Sequence, residues 1–200
     1  MKTKTNVRNY TDVELISLVK KLPSFKAIPT DYWFLAVRSL ENTPNIYDDK
    51  MYLFKAEKCI AVTSCTTDPG SAGLIDYKKY NTNGIAVVKA DEWYYDLWAY
   101  GLHKGKMQAL KQIKDILFYR DNNANSKAEE IGKIFKGIIG INWHTASYLT
   151  DEKSIKTLIV PTVGTWSLGC QVMNVLEEYY MMLCHVKKQK SVTYCLIKES

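Results

Sequence analysis

The sequence predicts a mainly β (α+β) domain carrying a few helices, and three observations lead there. Short apolar runs recur along the chain with polar loops between them. Aromatic residues, which favour strands, make up 12% of the chain, with 14 Tyr and 5 Trp. Clear helix signatures occur in only two places, one near each end. Two hundred residues, 46% of them hydrophobic, suffice for one domain with a full core. No internal repeat, low-complexity tract or break in composition marks a second domain.

Thr11-Asp12-Val13-Glu14 has capping-box spacing, with Thr11 as N-cap and Glu14 at the third helical position. The helix behind it carries Leu15, Ile16, Val19 and Leu22 on one face, and Pro23 stops it. Tyr32 to Val37 is apolar on both alternations and therefore reads as a fully buried strand. Met51 to Phe54, Cys59 to Thr63, Gly84 to Val88 and Ile116 to Tyr119 are short strand candidates, with a turn at Thr67-Asp68-Pro69-Gly70. Arg120 to Ser126 reads as a loop, and Ile138 to Asn142 as a strand that delivers His144 at its end. Leu158 to Val160 precedes a turn at Gly164. Asn174 and Glu177 have the spacing of a second helix start, followed by an apolar stripe of Val175, Leu176, Tyr179, Met182, Leu183 and Val186. Val192 to Ile197 reads as a closing strand.

The net charge of +6 is carried by single lysines rather than a block, the pattern of a solvated surface. No zinc-finger spacing, aromatic ribonucleoprotein motif or basic heptad helix is present, so no nucleic-acid partner is expected. The segment Met1 to Arg8 is basic without the apolar stretch of a signal peptide, and no run of about 18 apolar residues occurs. The expectation is a protein made in the cytoplasm, without a membrane span. Five widely spaced cysteines argue against a disulfide framework. Cys59, Cys65, Cys184 and Cys195 lie in apolar runs and read as core residues, and His185 as a solvated group.

Cys170 differs from the other four. It closes Gly164-Thr165-Trp166-Ser167-Leu168-Gly169-Cys170, where a glycine before a nucleophile lets the backbone turn tightly and presents its amides. A free thiol is only a few per cent ionised at neutral pH, so a catalytic cysteine needs a base. His144, some two dozen residues upstream, can supply it and hold a thiolate–imidazolium pair, with a helix onset after Cys170 adding positive potential. A carbonyl or carboxylate must then fix the imidazole tautomer. His103, in Gly101-Leu102-His103-Lys104-Gly105-Lys106, reads either as a turn histidine or as a cleft residue that binds a carboxylate with Lys104 and Lys106. Asp68 and Arg120 are further cleft candidates. His103, His144 and Cys170 are also possible zinc ligands, but no ligand pair such as Cys-x-x-Cys or His-Glu-x-x-His occurs, so neither metal nor cofactor is expected.

His144 preceding Cys170 is the reverse of the papain-like order. A histidine, a spacer, Ser-x-Gly-Cys, a helix and a last strand resemble the L,D-transpeptidase catalytic domain of peptidoglycan cross-linking enzymes, over the stretch from about Gly140 to the C-terminus. The resemblance implies an L,D-transpeptidase-like β-sandwich or barrel with a helix after the catalytic cysteine. Residues 1–45 would then be an N-terminal helix and strand packed on a catalytic domain of residues 46–200. It implies Cys170 as nucleophile, His144 as base, the Thr145 carbonyl as orienting group, and Gly169 with Cys170 as oxyanion donors. Ser167, His103, Trp166 and Gln171 would contact substrate. Leu168 stands where the family has a histidine, Gln171-Val172 follow the cysteine where it commonly has arginine, and the spacer is longer.

The implied chemistry is acyl transfer or hydrolysis on peptidoglycan stem peptides, at the bacterial cell wall after release or in a phage particle. The alternative is a non-catalytic binding or structural module that keeps the same turn for its backbone shape.

Overall fold

A computed structural model describes residues 5–200; Met1 to Lys4, half of the basic N-terminal segment, lie outside the described residues. The chain is mainly β, as its strand-rich pattern predicts. Eight strands close a barrel in the order β1 (Tyr32–Arg38), β11 (Val192–Lys198), β5 (Glu92–His103), β6 (Met107–Gln112), β9 (Trp143–Thr145), β10 (Gln171–Met173), β3 (Lys58–Thr66) and β2 (Asp49–Lys55). A second sheet has the order β4 (Ile85–Val88), β7 (Ile116–Asp121) and β8 (Phe135–Gly137). β1 pairs with β2 on one edge and β11 on the other, so the strand of residues 1–45 is an internal member of the barrel.

The buried alternation of β1 has a simple cause. Phe34 and Ala36 enter the barrel cluster with Met51, Leu53, Tyr194 and Leu196. Trp33, Leu35 and Val37 face the other way, into a cluster with Tyr52, Phe54, Cys195 and Ile197 that α1 (Asp12–Lys20) covers with Leu15, Ile16 and Val19. Each of the larger aliphatic and Phe side chains among them contributes on the order of 1.5–3 kcal/mol of burial. α1 begins with the expected reciprocal capping box between Thr11 and Glu14.

α5 (Leu176–Val186) packs Tyr179, Met182, Leu183 and Val186 against the barrel cluster. Its N-cap is Val175, without a side-chain bond, rather than Asn174. Asn174 is fully buried instead, accepting from Ser64 Oγ at 2.7 Å and donating to the Val160 carbonyl at 3.3 Å. Short helices α2 (Ser71–Ile75), α3 (Tyr77–Tyr80) and α4 (Glu152–Thr157) complete the chain. Three other local expectations change. Arg120 and Asp121 belong to β7, Cys184 is exposed, and His185 is half-buried with its ring 4.9 Å from that of Tyr32. Among the described residues no helix is long and apolar enough to cross a membrane.

Candidate active site

β9 and β10 are parallel neighbours, with His144 opposite Val172 and Trp143 opposite Gln171. Cys170 therefore enters β10 beside the segment that leads into His144, which brings the two together across the intervening sequence. The Gln171 amide donates to the Asn142 carbonyl at 2.9 Å and fixes this register. β10 lies between Cys170 and α5, so the helix onset is farther along the chain than the sequence spacing suggests.

The turn before Cys170 is braced from within. Ser167 Oγ accepts the Gly169 amide at 3.2 Å and donates to the Cys170 carbonyl at 2.8 Å. Gly169 has φ +121°, and a Cβ there would lie 2.7 Å from the Ala86 carbonyl oxygen, so only glycine fits. The Thr67-to-Gly70 turn packs on the same loop, with the Gly70 amide donating to the Ser167 carbonyl at 2.9 Å. Ser167 is fully buried and the Gly169 amide is engaged, which corrects both expected roles: Ser167 shapes the loop rather than touching substrate, and Gly169 supplies conformation rather than an oxyanion donor. Among the described residues the Cys170 amide has no hydrogen-bond partner.

Gln171 is also fully buried and turns inward. It accepts from Tyr194 Oη at 2.6 Å and donates to the Gly169 carbonyl at 3.3 Å. Behind it, Arg38 bonds Thr67 Oγ1 at 2.9 Å, Asp68 at 3.1 Å and Glu130 at 2.6 Å, while Asp49 accepts the Thr67 amide at 2.6 Å. Asp68 thus belongs to a buried ionic cluster, and Arg120 donates to the Gly84 carbonyl at 3.1 Å; neither is placed as the cleft reading expected. Burial raises Asp48 and Asp68 to about 7; the Arg38 guanidinium opposes this at Asp68, and the Asp49 carboxylate adds to it at both. Leu168 joins the apolar cluster of Leu74, Ile85 and Val87. Trp166 is half-buried, 5.3 Å from the Tyr148 ring, in the cluster that Cys170 borders.

His144 is fully buried, and its Nδ1 lies 2.8 Å from the Thr145 carbonyl. A carbonyl only accepts, so Nδ1 carries the proton and Nε2, which has no partner among the described residues, keeps its lone pair. Burial, with His103 nearby, lowers the imidazole to about 3. The half-buried Cys170 thiol contacts the Gly140 carbonyl at 3.4 Å and the Asn142 amide at 3.5 Å, and burial pushes it up to about 11. Both groups rest neutral. Burial thus favours the neutral thiol and neutral imidazole over the thiolate–imidazolium pair expected from sequence, because a desolvated site penalises separated charge.

His103 ends β5 rather than sitting in a turn; the turn is Lys104-Gly105, where φ is +50° and +70°. Its ring stacks on His144 with centroids 4.2 Å apart. Ring nitrogens of both histidines and Cys170 Sγ all lie within 4.8 Å of one another, a set that could hold a metal ion.

Two buried amides that the sequence did not single out organise this cluster. Gln112 Oε1 accepts the amides of Ile139, Gly140 and Ile141 at 2.9–3.0 Å, which holds 138–142 as a loop where a strand was expected. Asn142 Oδ1 accepts the Gln112 amide at 2.9 Å, so its Nδ2 is the atom 3.0 Å from His103 Nδ1. An Asn within an apolar run was the one signal available. With Asn142 pinned this way, His103 Nδ1 accepts and Nε2 carries the proton. His103 thus has Nδ1 engaged and Nε2 protonated, leaving His144 Nε2 and Cys170 Sγ as the lone pairs of the three ready for a metal.

Comparison with known protein families, with curated proteins and with solved structures found no match.

Proposed function

We propose that this protein is a cysteine acyltransferase or peptidase of the L,D-transpeptidase type, acting on peptidoglycan stem peptides. One observation carries the reading: His144 donates from Nδ1 to the Thr145 carbonyl and directs an unpartnered, buried Nε2 lone pair into a cluster with Cys170 Sγ. This supports reading the pair as a thiol and its general base, with the thiol at rest on the Gly140 carbonyl and the imidazole lone pair within reach of it. The barrel, the glycine-forced turn before the cysteine and the helix after it are compatible with the same resemblance.

Because the resting pair is neutral, the proton moves as the sulfur attacks. Cys170 Sγ bonds to the carbonyl carbon of the L-configured diamino acid while its proton passes to His144 Nε2. The tetrahedral adduct then collapses, the C–N bond breaks, and the departing D-alanine amine takes that proton. The resulting thioester is attacked by an amine, giving a cross-link, or by water, giving peptidase activity. His144 accepts the acceptor's proton and returns it to the sulfur, restoring the thiol.

The elevated thiol favours a second reading, a binding module that holds stem peptides without turnover. Incubation with purified muropeptides, resolved by mass spectrometry, separates them. D-alanine release, dimer formation or dimer cleavage that vanishes in Cys170→Ser supports the enzyme; binding with unchanged substrate supports the module and overturns the enzyme.

A further inference from the structure

We propose that His103 is a catalytic residue whose Nε2–H holds the acyl oxygen during attack by Cys170, and that Asn142 is the positioning residue that keeps the proton on Nε2. The proposal rests on the acyl-transfer reading above and assigns a donor that reading leaves unnamed.

The need for such a donor follows from the turn. A tetrahedral adduct on Sγ places a negative oxygen beside the sulfur, and catalytic donors sit about 3 Å from that oxygen. Gly169 cannot serve, because its amide is bonded to Ser167 Oγ. The Asn142 amide points at the sulfur itself, 3.5 Å away. That leaves the Cys170 amide, one donor where a developing oxyanion is better held by two.

His103 has the position, the proton and the charge state to be the second. Its ring lies in the same cluster, with one of its nitrogens within 4.8 Å of Cys170 Sγ and of a His144 ring nitrogen. Its tautomer is set by a relay of fixed groups. The Gln112 amide orients Asn142, Asn142 Nδ2 donates to His103 Nδ1, and the proton is confined to Nε2. Neutrality matters for the partner ring. A cation stacked 4.2 Å from His144 would oppose the uptake of the thiol proton there. A neutral imidazole can therefore donate to the oxyanion while leaving His144 free to become the cation; His103 keeps its proton throughout.

The test uses the full chain, with a disaccharide-tetrapeptide ending in D-alanine as acyl donor. Nitrogen-15 spectra of the histidines should show His103 protonated at Nε2 in the wild type, shifting to Nδ1–H in Asn142→Asp, whose carboxylate demands a donor. His103→Ala should lower kcat for acylation about 100-fold with KM changed less than threefold, as for loss of one oxyanion donor. His103→Gln, which returns an N–H, should recover at least tenfold of that loss. A wild-type Nδ1–H signal, a loss confined to KM, or no recovery in a folded His103→Gln protein would overturn the proposal. If the wild type releases no D-alanine and forms no acyl-enzyme, the acyl-transfer reading itself fails and the catalytic role with it, whereas normal acylation by His103→Ala refutes this role alone.

Discussion

A thiol pushed up to about 11 should be slow to alkylate at neutral pH, even in an active enzyme. At pH 7.5 such a group is thiolate in about one molecule in 3,000, against about one in ten for an ordinary thiol near 8.5. Cys170 should thus react with iodoacetamide roughly 300-fold more slowly than an ordinary exposed thiol, and exposed Cys184 provides an internal reference. Labelling is followed residue by residue by mass spectrometry between pH 6 and 11. The Cys170 rate should climb about tenfold per pH unit, without a plateau until about pH 11. His144→Ala should change this profile little, because a base resting neutral contributes when the attack is coupled to proton transfer. A plateau between pH 6 and 8, abolished in His144→Ala, would show a preformed thiolate–imidazolium pair and refute the neutral-pair mechanism.

Gly169→Ala combines a φ of +121° with a Cβ 2.7 Å from the Ala86 carbonyl oxygen, a strain on the order of 1–3 kcal/mol, and should lower Tm by roughly 2–12 °C; an unchanged Tm would show that the turn adapts. Asp68, held up to about 7 against about 3.9 in the unfolded chain, binds its proton more tightly when folded. Its contribution is therefore complete below pH 4 and is lost as pH rises toward 7, by up to about 1.4 kcal/mol per unit. Urea unfolding should show the stability difference between wild type and Asp68→Asn moving against the wild type over that interval; a flat difference contradicts the assignment. In Asn142→Asp, a carboxylate accepting from His103 Nδ1 frees the Nε2 lone pair, so zinc affinity measured by calorimetry should rise about tenfold or more. Equal affinity in the two proteins would mean that His103 is not held as described.

Local signals revealed half of the barrel, β1, β2, β3 and β11, and left β5, β6, β9 and β10 unread. The Thr11–Glu14 box, the doubly apolar β1 and the closing β11 are each written within a dozen residues. β5 was hidden because its burial does not alternate. Trp93 faces the α1 layer, Tyr94 and Trp98 face the barrel, and Asp96 takes a φ of +54° where the β11 register shifts. Asn174 has the chemistry of an N-cap, but tertiary bonds to Ser64 and Val160 claim its side chain. At the site, Cys170, His144 and Thr145 were legible because a turn and a following carbonyl are local. The pairing of His103 with Asn142 and the threefold grip of Gln112 on 139–141 join segments far apart in sequence, and a single chain offers no periodicity for such contacts.

The most direct test of the central claim is to trap the acyl-enzyme. Wild-type protein mixed with the D-alanine-terminated disaccharide-tetrapeptide and quenched in acid should gain the mass of the substrate less D-alanine, and peptide mapping should place it on Cys170. His144→Ala should form the adduct about 100- to 10,000-fold more slowly, and Cys170→Ser should form no thioester. An adduct on another residue, or D-alanine released undiminished by Cys170→Ser, would contradict the account.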